Sequence, residues 1–264
     1  MEYRRISIDT SKHVFTIHGV DEKERPVLRR DLRRAQVEPF FTKISSTEVV
    51  LEACAGSHHW GRVLSRMGHR VKLIPPQYVT PFVKRGKSDR NDAEAICEAA
   101  SRPTMRTVPV KSADEQATTL ILKHRELMVN QRTQAVNALR GHAAEFGIVA
   151  AKGCANVTAL LAVLSAEEAI PEIAKAMFEQ MGQHITDLDA KIAVLEKQLL
   201  EQHKANAVSR LLAAIPGVGP ITAITMALSV NPVNFETGRH FCRLAWADPA
   251  RTFHRRQASY GKDK

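Results

Sequence analysis

Ser7-Ile8-Asp9-Thr10-Ser11-Lys12 reads as the end of a strand that carries a carboxylate out of an apolar run. Upstream, Ile6-Ser7-Ile8 alternates with the period of two that marks a half-buried strand. Downstream, Val14-Phe15-Thr16-Ile17 is rich in β-formers, and residues 19–26 carry the Gly and Pro of a turn. Residues 33–43 read as a helix. Val49-Val50-Leu51-Glu52 is a short buried strand, followed by Gly56 and a helix over 59–67 that Gly68 closes. Val71-Lys72-Leu73-Ile74 is another strand, stopped by Pro75-Pro76, and residues 89–101 form a helix that ends before Pro103. Strands first in a meander, then alternating with helices, predict an α/β domain with a mixed sheet.

The strands carry acids where acids are costly. Asp9 and Glu52 sit on apolar runs, and carboxylates are rarely placed on buried strands unless something pairs with them. Asp89 and Asp92, in Lys87-Ser88-Asp89-Arg90-Asn91-Asp92-Ala93, are spaced i,i+3 at a helix start and share one face. Each acid alone has an ordinary explanation: Ser88 is an N-cap candidate, first-turn acids suit a helix dipole, and Asp9 can simply close its strand. Two acids on strands and two paired on a helix favour a common partner instead. A hard divalent cation, Mg²⁺ or Mn²⁺, takes oxygen ligands, and an Asp–Glu–Asp–Asp set can hold two such ions for phosphodiester chemistry. Asp9, Glu52, Asp89 and Asp92 are therefore the expected catalytic and metal-ligating residues, with raised carboxyl pKa values where like charges crowd. Lys87 and Arg90, interleaved with the aspartates, are candidates for contact with a nucleic-acid backbone.

The chain has 264 residues, enough for one large domain or two small ones, and 44% hydrophobic content supports a real core. Its net charge of +10 and pI of about 9.7 predict attraction to polyanions, most simply nucleic acid. Aromatics are only 5%, and no basic amphipathic face with aromatic anchors argues for a membrane surface. Residues 211–230 are uncharged but broken by Pro216, Gly217, Gly219 and Pro220, so they make a poor membrane span and a good helical pair. Cys54, Cys97, Cys154 and Cys242 form no metal-ligand spacing, and the first residues lack a signal-peptide pattern, so a reducing cytoplasmic setting is expected.

From about residue 111 the character becomes helical, with few breakers over 115–145. Phe178, Met181, Ile185, Leu188, Ile192, Leu195 and Leu199 alternate spacings of three and four, the coiled-coil signature. That seam fits an intramolecular hairpin with the 115–145 helix or a dimer seam equally well. Further on, residues 210–215 and 221–229 read as two helices around Pro216-Gly217-Val218-Gly219-Pro220, the helix–hairpin–helix pattern. Its glycines let the backbone approach a phosphate, and the second helix offers free N–H groups, so Gly217, Val218 and Gly219 are expected to bind nucleic acid without reading sequence. A plain αα-hairpin is the competing reading.

Together these motifs resemble the DEDD transposases of insertion-sequence family 110, serine-using recombinases with a ribonuclease-H-like (RuvC-type) domain. Ser-Ile-Asp-Thr-Ser-Lys looks like their first strand and Leu-Glu-Ala-Cys-Ala-Gly like their Glu-Ala-Thr-Gly segment, altered at Cys54 and Ala55. Lys-Ser-Asp-Arg-Asn-Asp-Ala looks like their paired-aspartate motif, and Pro-Gly-Val-Gly-Pro-Ile-Thr-Ala like the opening of their C-terminal domain. Order and approximate spacing match from near residue 5 to near residue 241. The resemblance implies four parts: a ribonuclease-H-like domain over 1–110, a helical arm over 111–204, the start of a C-terminal transposase domain over 205–241, and a departing basic tail over 242–264. It implies DNA cutting and rejoining during transposition, an element-encoded guide RNA as partner, and a homo-oligomer, here expected through the arm.

One departure matters. The family continues with a Trp-Leu-Gly-Leu-type segment and a Ser/Thr-Gly-Gly-Lys motif that carries a serine nucleophile. Here Phe241 is followed by Cys242-Arg243-Leu244-Ala245-Trp246, and no Ser-Gly-Gly or Thr-Gly-Gly occurs in the chain. The tail can be encoded so that removing one base after the Phe241 codon restores a family-like reading through Ser-Thr-Gly-Gly-Lys. A one-base insertion near Cys242, a scrambled tail and a copy inactive in strand transfer are therefore expected. Ser209 and Ser259 lack a glycine-rich setting and are weak substitutes. A structure-specific, Holliday-junction-type nuclease using the tetrad alone and a non-catalytic nucleic-acid-binding regulator are the other readings.

Overall fold

A computed structural model describes residues 3–84 and 89–230, with Asp89 by its backbone alone. The chain divides into two compact units, one made from the residues up to Ser112 and the other from Ala113–Ser229. Lys87, the Ser88 cap and everything from residue 231 onward, the 242–264 tail included, lie outside the described residues.

The first unit is built on five strands: β1 (Arg5–Thr10), β2 (Val14–Val20), β3 (Pro26–Arg33), β4 (Glu48–Glu52) and β5 (Arg70–Ile74), in the order β3-β2-β1-β4-β5. β1, β2 and β3 pair antiparallel, whereas β1–β4 and β4–β5 are parallel. This mixed α/β arrangement agrees with the ribonuclease-H-like fold expected from the sequence. Period-two alternation sorts the strand residues to two faces. Ile6, Ile8, Ile17, Val49, Leu51 and Leu73 pack one face against α1 (Val37–Phe41) and α2 (Ser57–Arg66), where Phe15 meets Trp60 edge-on at 5.1 Å. Val50 and Ile74 pack the other against α3 (Pro76–Val79) and α4 (Asp89–Ala100). Ala93, Ala95 and Ala99 are buried, and their small side chains bring α4 close enough for Ser7 Oγ to donate to the Ala93 carbonyl at 2.6 Å.

β3 departs from the expected pattern. The sequence reading starts a helix at residue 33, but strand pairing runs through Arg33, and only a 3-10 turn (Arg34–Gln36) and the five residues of α1 are helical. Arg29, Arg30, Asp31 and Arg33 disguise the strand, because an edge strand needs few apolar residues and charge there discourages pairing with other chains.

In the second unit, α5 (Ala113–Ala144) and α7 (Glu172–Ala205) pack as antiparallel partners. Phe178, Ile185, Leu188, Ile192 and Leu199 of the seam are buried, with Met181 and Leu195 partly so. They close on Met128, Val136 and Leu139 of α5 and on α6 (Val157–Ala166), so the seam is filled within the chain. Thr118–Gln202, Arg125–Glu196 (2.5 Å) and Arg132–Asp189 (2.5 Å) clip the two long helices at every second turn. The uniformly apolar α6 has no helical period to announce it. Two short helices follow, α8 (Ala207–Ala213) and α9 (Pro220–Ser229), and Gly217 takes φ +85° in the turn between them, a conformation that side chains disfavour.

Candidate metal centre and nucleic-acid surface

Asp9 lies one step beyond the last recorded pair of the β1–β4 ladder, Ile8 with Leu51, and Glu52 is its counterpart on β4. The two acids are thus on adjacent parallel strands, at the carboxyl ends, and on one face. That face is the one packed by α4, since Ser7, two residues before Asp9, bonds to Ala93, and Val50, two before Glu52, packs against Ile96 and Ala99. Carboxyl ends of parallel strands are where open α/β sheets place ligands. Thr10 Oγ1 and Cys54 Sγ, 3.2 Å apart, tie the two strand ends together.

α4 begins beside these ends. Asp92, partly exposed, is near enough to act on Glu52, whose carboxyl is pushed above its ordinary value first by burial and second by the Asp92 charge. Asp89 occupies the first position of the same helix. Among the described residues, no group of three or more His, Cys, Asp or Glu side chains is placed to hold a metal ion. Asp9, Glu52 and Asp92 therefore share a region rather than a closed coordination shell, and the Asp89 side chain lies outside the description. The donor chemistry suits a hard cation: every candidate ligand is a carboxylate oxygen.

The sheet carries a further acid that the sequence reading did not single out. Asp9 pairs with Thr16, and Thr16 with Asp31, so Asp31, Thr16, Asp9 and Glu52 form one row across four strands. Thr16 Oγ1 donates to Asp31 at 3.0 Å, and Arg90 approaches the other Asp31 oxygen at 3.6 Å. The clue was Asp31 two residues before Arg33, legible only once β3 was known to be a strand.

Away from the sheet, among the described residues nothing beyond the flanking residues lies within 4 Å of where a Cβ would project at Gly217 or Gly219, so the α8–α9 turn is open there. Ser209 is different. It is fully buried, its Oγ lies 2.8 Å from His203 Nδ1, and its backbone N–H donates to the Asn206 cap. A Ser–His pair can mark an activated nucleophile, but this one is sealed from any DNA strand and serves the α7–α8 joint.

The first unit is thus an α/β unit with a mixed sheet that carries acids at its parallel strand ends. A transposase family model described as "Transposase" (DEDD, IS110) matches residues 6–147, over half of the chain, and one described as "Transposase IS116/IS110/IS902 family" matches 209–252, past Cys242. The chain is 50% identical over 243 residues to "Putative transposase y4pF/y4sB" of Sinorhizobium fredii, a match covering 92% of this chain and 62% of that protein. It is 44% identical over 250 residues to "Probable family 20 transposase" of Pseudomonas aeruginosa, covering 93% and 73%. To the "Transposase for insertion sequence element IS1328" of Yersinia enterocolitica it is 36% identical over 237 residues, covering 89% and 71%. The chain belongs to the IS110 family of insertion-sequence transposases. It spans less than two thirds of the Sinorhizobium relative's length. No described helix is long and apolar enough to cross a membrane.

Proposed function

We propose that this chain acts on DNA during transposition, with its first unit cutting or positioning the phosphodiester backbone. The observation that supports this most is the placement of Asp9 and Glu52 side by side at the carboxyl ends of β1 and β4, beneath the helix that carries Asp89 and Asp92. Those four carboxylates would hold Mg²⁺ or Mn²⁺, which supplies charge neutralisation of the backbone and activation of water. Burial and Asp92 favour the neutral form of Glu52, and a bound cation would favour its charged form instead, relieving that strain on the site. Arg90 is tethered to Asp31 beside the acids and, with Lys87, would steady a nearby phosphate. The open Gly217-Val218-Gly219 turn would give a second, sequence-independent backbone contact.

The family's serine chemistry is a separate matter. Metal-held carboxylates can orient a phosphate but do not replace a covalent serine–DNA link, and Ser209 is buried. The 264-residue chain would therefore bind and nick DNA without completing strand transfer. An element-encoded guide RNA and self-association remain part of the proposal. Because α5 and α6 occupy the seam of α7, self-association through the arm would use its outer faces.

The test is incubation with supercoiled plasmid and Mg²⁺, resolved with and without SDS and protease. Nicking that needs Mg²⁺, is lost in Asp9→Asn, and leaves no protein on the DNA is the expected result. Metal-independent nicking, or a covalent adduct, contradicts it.

A further inference from the structure

The amino ends of the same parallel strands hold a second polar site. Arg5, Glu48 and Arg70 stand opposite one another across β1, β4 and β5. Lys72 follows on the same face of β5. They line a cavity of about 440 Å³ together with Arg4 on one side and Arg102, just past α4, on the other.

The charges in this corner do not cancel. Arg5, about 4% exposed, is committed to the fold: it bonds Glu48 at 2.8 Å and Glu24 at 3.0 Å, and lies 3.4 Å from the Cys97 carbonyl in the last turn of α4. Glu48 takes both Arg5 and Lys72. Burial alone would raise its carboxyl, but those two cations outweigh burial and hold it below the ordinary range. Arg4 shares Glu24, and Arg102 pairs with Glu98 while lying over the Phe82 ring. Five cations thus face three carboxylates, and Arg70 pairs with no carboxylate among the described residues. The buried Arg5 and the largely buried Glu48 form the floor, and the outer Arg70, Lys72 and Arg102 remain exposed enough to exchange partners.

We propose that this corner is a second nucleic-acid backbone site, binding a phosphate through Arg70, Lys72 and Arg102. A cavity of this size falls in the range that holds a small ligand, here a phosphodiester and its sugar. A nucleic acid is favoured over a free anion because the cations line the edge strand and the adjoining loop rather than enclosing a point, and because the whole chain carries a charge of +10. Asp9 lies four residues along β1 from Arg5, roughly 13 Å at the usual rise, so contacts here do not overlap the carboxylates. The proposal rests on the reading of the chain as a nucleic-acid protein and adds where the backbone is held.

The experiment measures anisotropy of labelled single-stranded DNA, duplex DNA and RNA against salt. It compares the wild-type chain, an Arg70→Gln/Arg102→Gln double variant, and a control, Lys43→Gln/Arg66→Gln, that removes two exposed charges outside the corner. The corner variant should bind at least about fivefold more weakly at low salt, with a log–log salt slope smaller by about 1–2. The control should keep the wild-type slope. Equal slopes in both variants overturn the proposal. Inorganic phosphate or pyrophosphate that raises the Tm of wild type but not of the corner variant, with nucleic-acid slopes unchanged, assigns the corner to a small anion and also overturns it. A wild-type chain that binds no nucleic acid at any salt removes the proposed function itself, which separates the two failures.

Discussion

Glu52 is where the site's electrostatics can be read most directly. Burial and Asp92 both favour its neutral form, so its folded pKa lies above its unfolded value. The contribution to stability is therefore full below the unfolded pKa and is lost as pH rises through the folded one. At neutral pH the ionised Glu52 works against the fold in the absence of a cation. Glu52→Gln, which removes the charge and keeps the shape, should raise Tm at pH 7.5 by up to ~2–4 °C and change it little at pH 4. Differential scanning calorimetry without divalent metal checks this, and an unchanged or lowered Tm at pH 7.5 contradicts it. Ser209 shows the opposite kind of residue. Sequence alone could offer it as a spare nucleophile, whereas its burial and its bonds to His203 and Asn206 make it part of a helix joint.

At the scale of elements, the arm is held by close packing rather than by propensity. A Cβ on Gly182 of α7 would come within 2.4 Å of Leu161 Cδ1, so α6 must shift or Leu161 must change rotamer. Gly141 of α5 has open space and no constraint on φ. Gly182→Ala should therefore cost about 1–3 kcal/mol, as overpacking does. Gly141→Ala should stabilise by about 0.4–1 kcal/mol through the unfolded chain. Urea unfolding of the two variants separates them, and shifts of the same sign would contradict the packing described here. Most elements were legible because their periods are strong: the alternation in β1, the heptads in α7, and the Pro-Gly-Val-Gly-Pro turn between α8 and α9. β3 was not, because a charged edge strand looks like loop or helix, and α6 was not, because a uniformly apolar run has no period. Whether the heptad seam joined one chain or two could not be read from spacing, since a hairpin and a dimer bury the same positions.

For the whole molecule, the sequence placed two of the four acids more firmly than the others. Asp9 and Glu52 end strands whose neighbours were identifiable, and their adjacency follows from the β1–β4 pairing. The reach of Asp89 and Asp92 depends on how the start of α4 sits over those strand ends, which no local pattern encodes. Asp31 and the Arg5–Glu48–Arg70 row were invisible for the same reason, because rows across a sheet exist only once strand order and register are set. The central claim is that these acids form one divalent-cation centre. Isothermal titration with Mn²⁺ tests it most directly, using the wild-type chain, Asp9→Asn, Glu52→Gln and Asp92→Asn, each confirmed folded by circular dichroism. Saturable binding is expected in the wild type, weakened about tenfold or more in every variant, at least the loss seen when a ligand's own support is removed. Mn²⁺ binding of equal strength in all four proteins would contradict it.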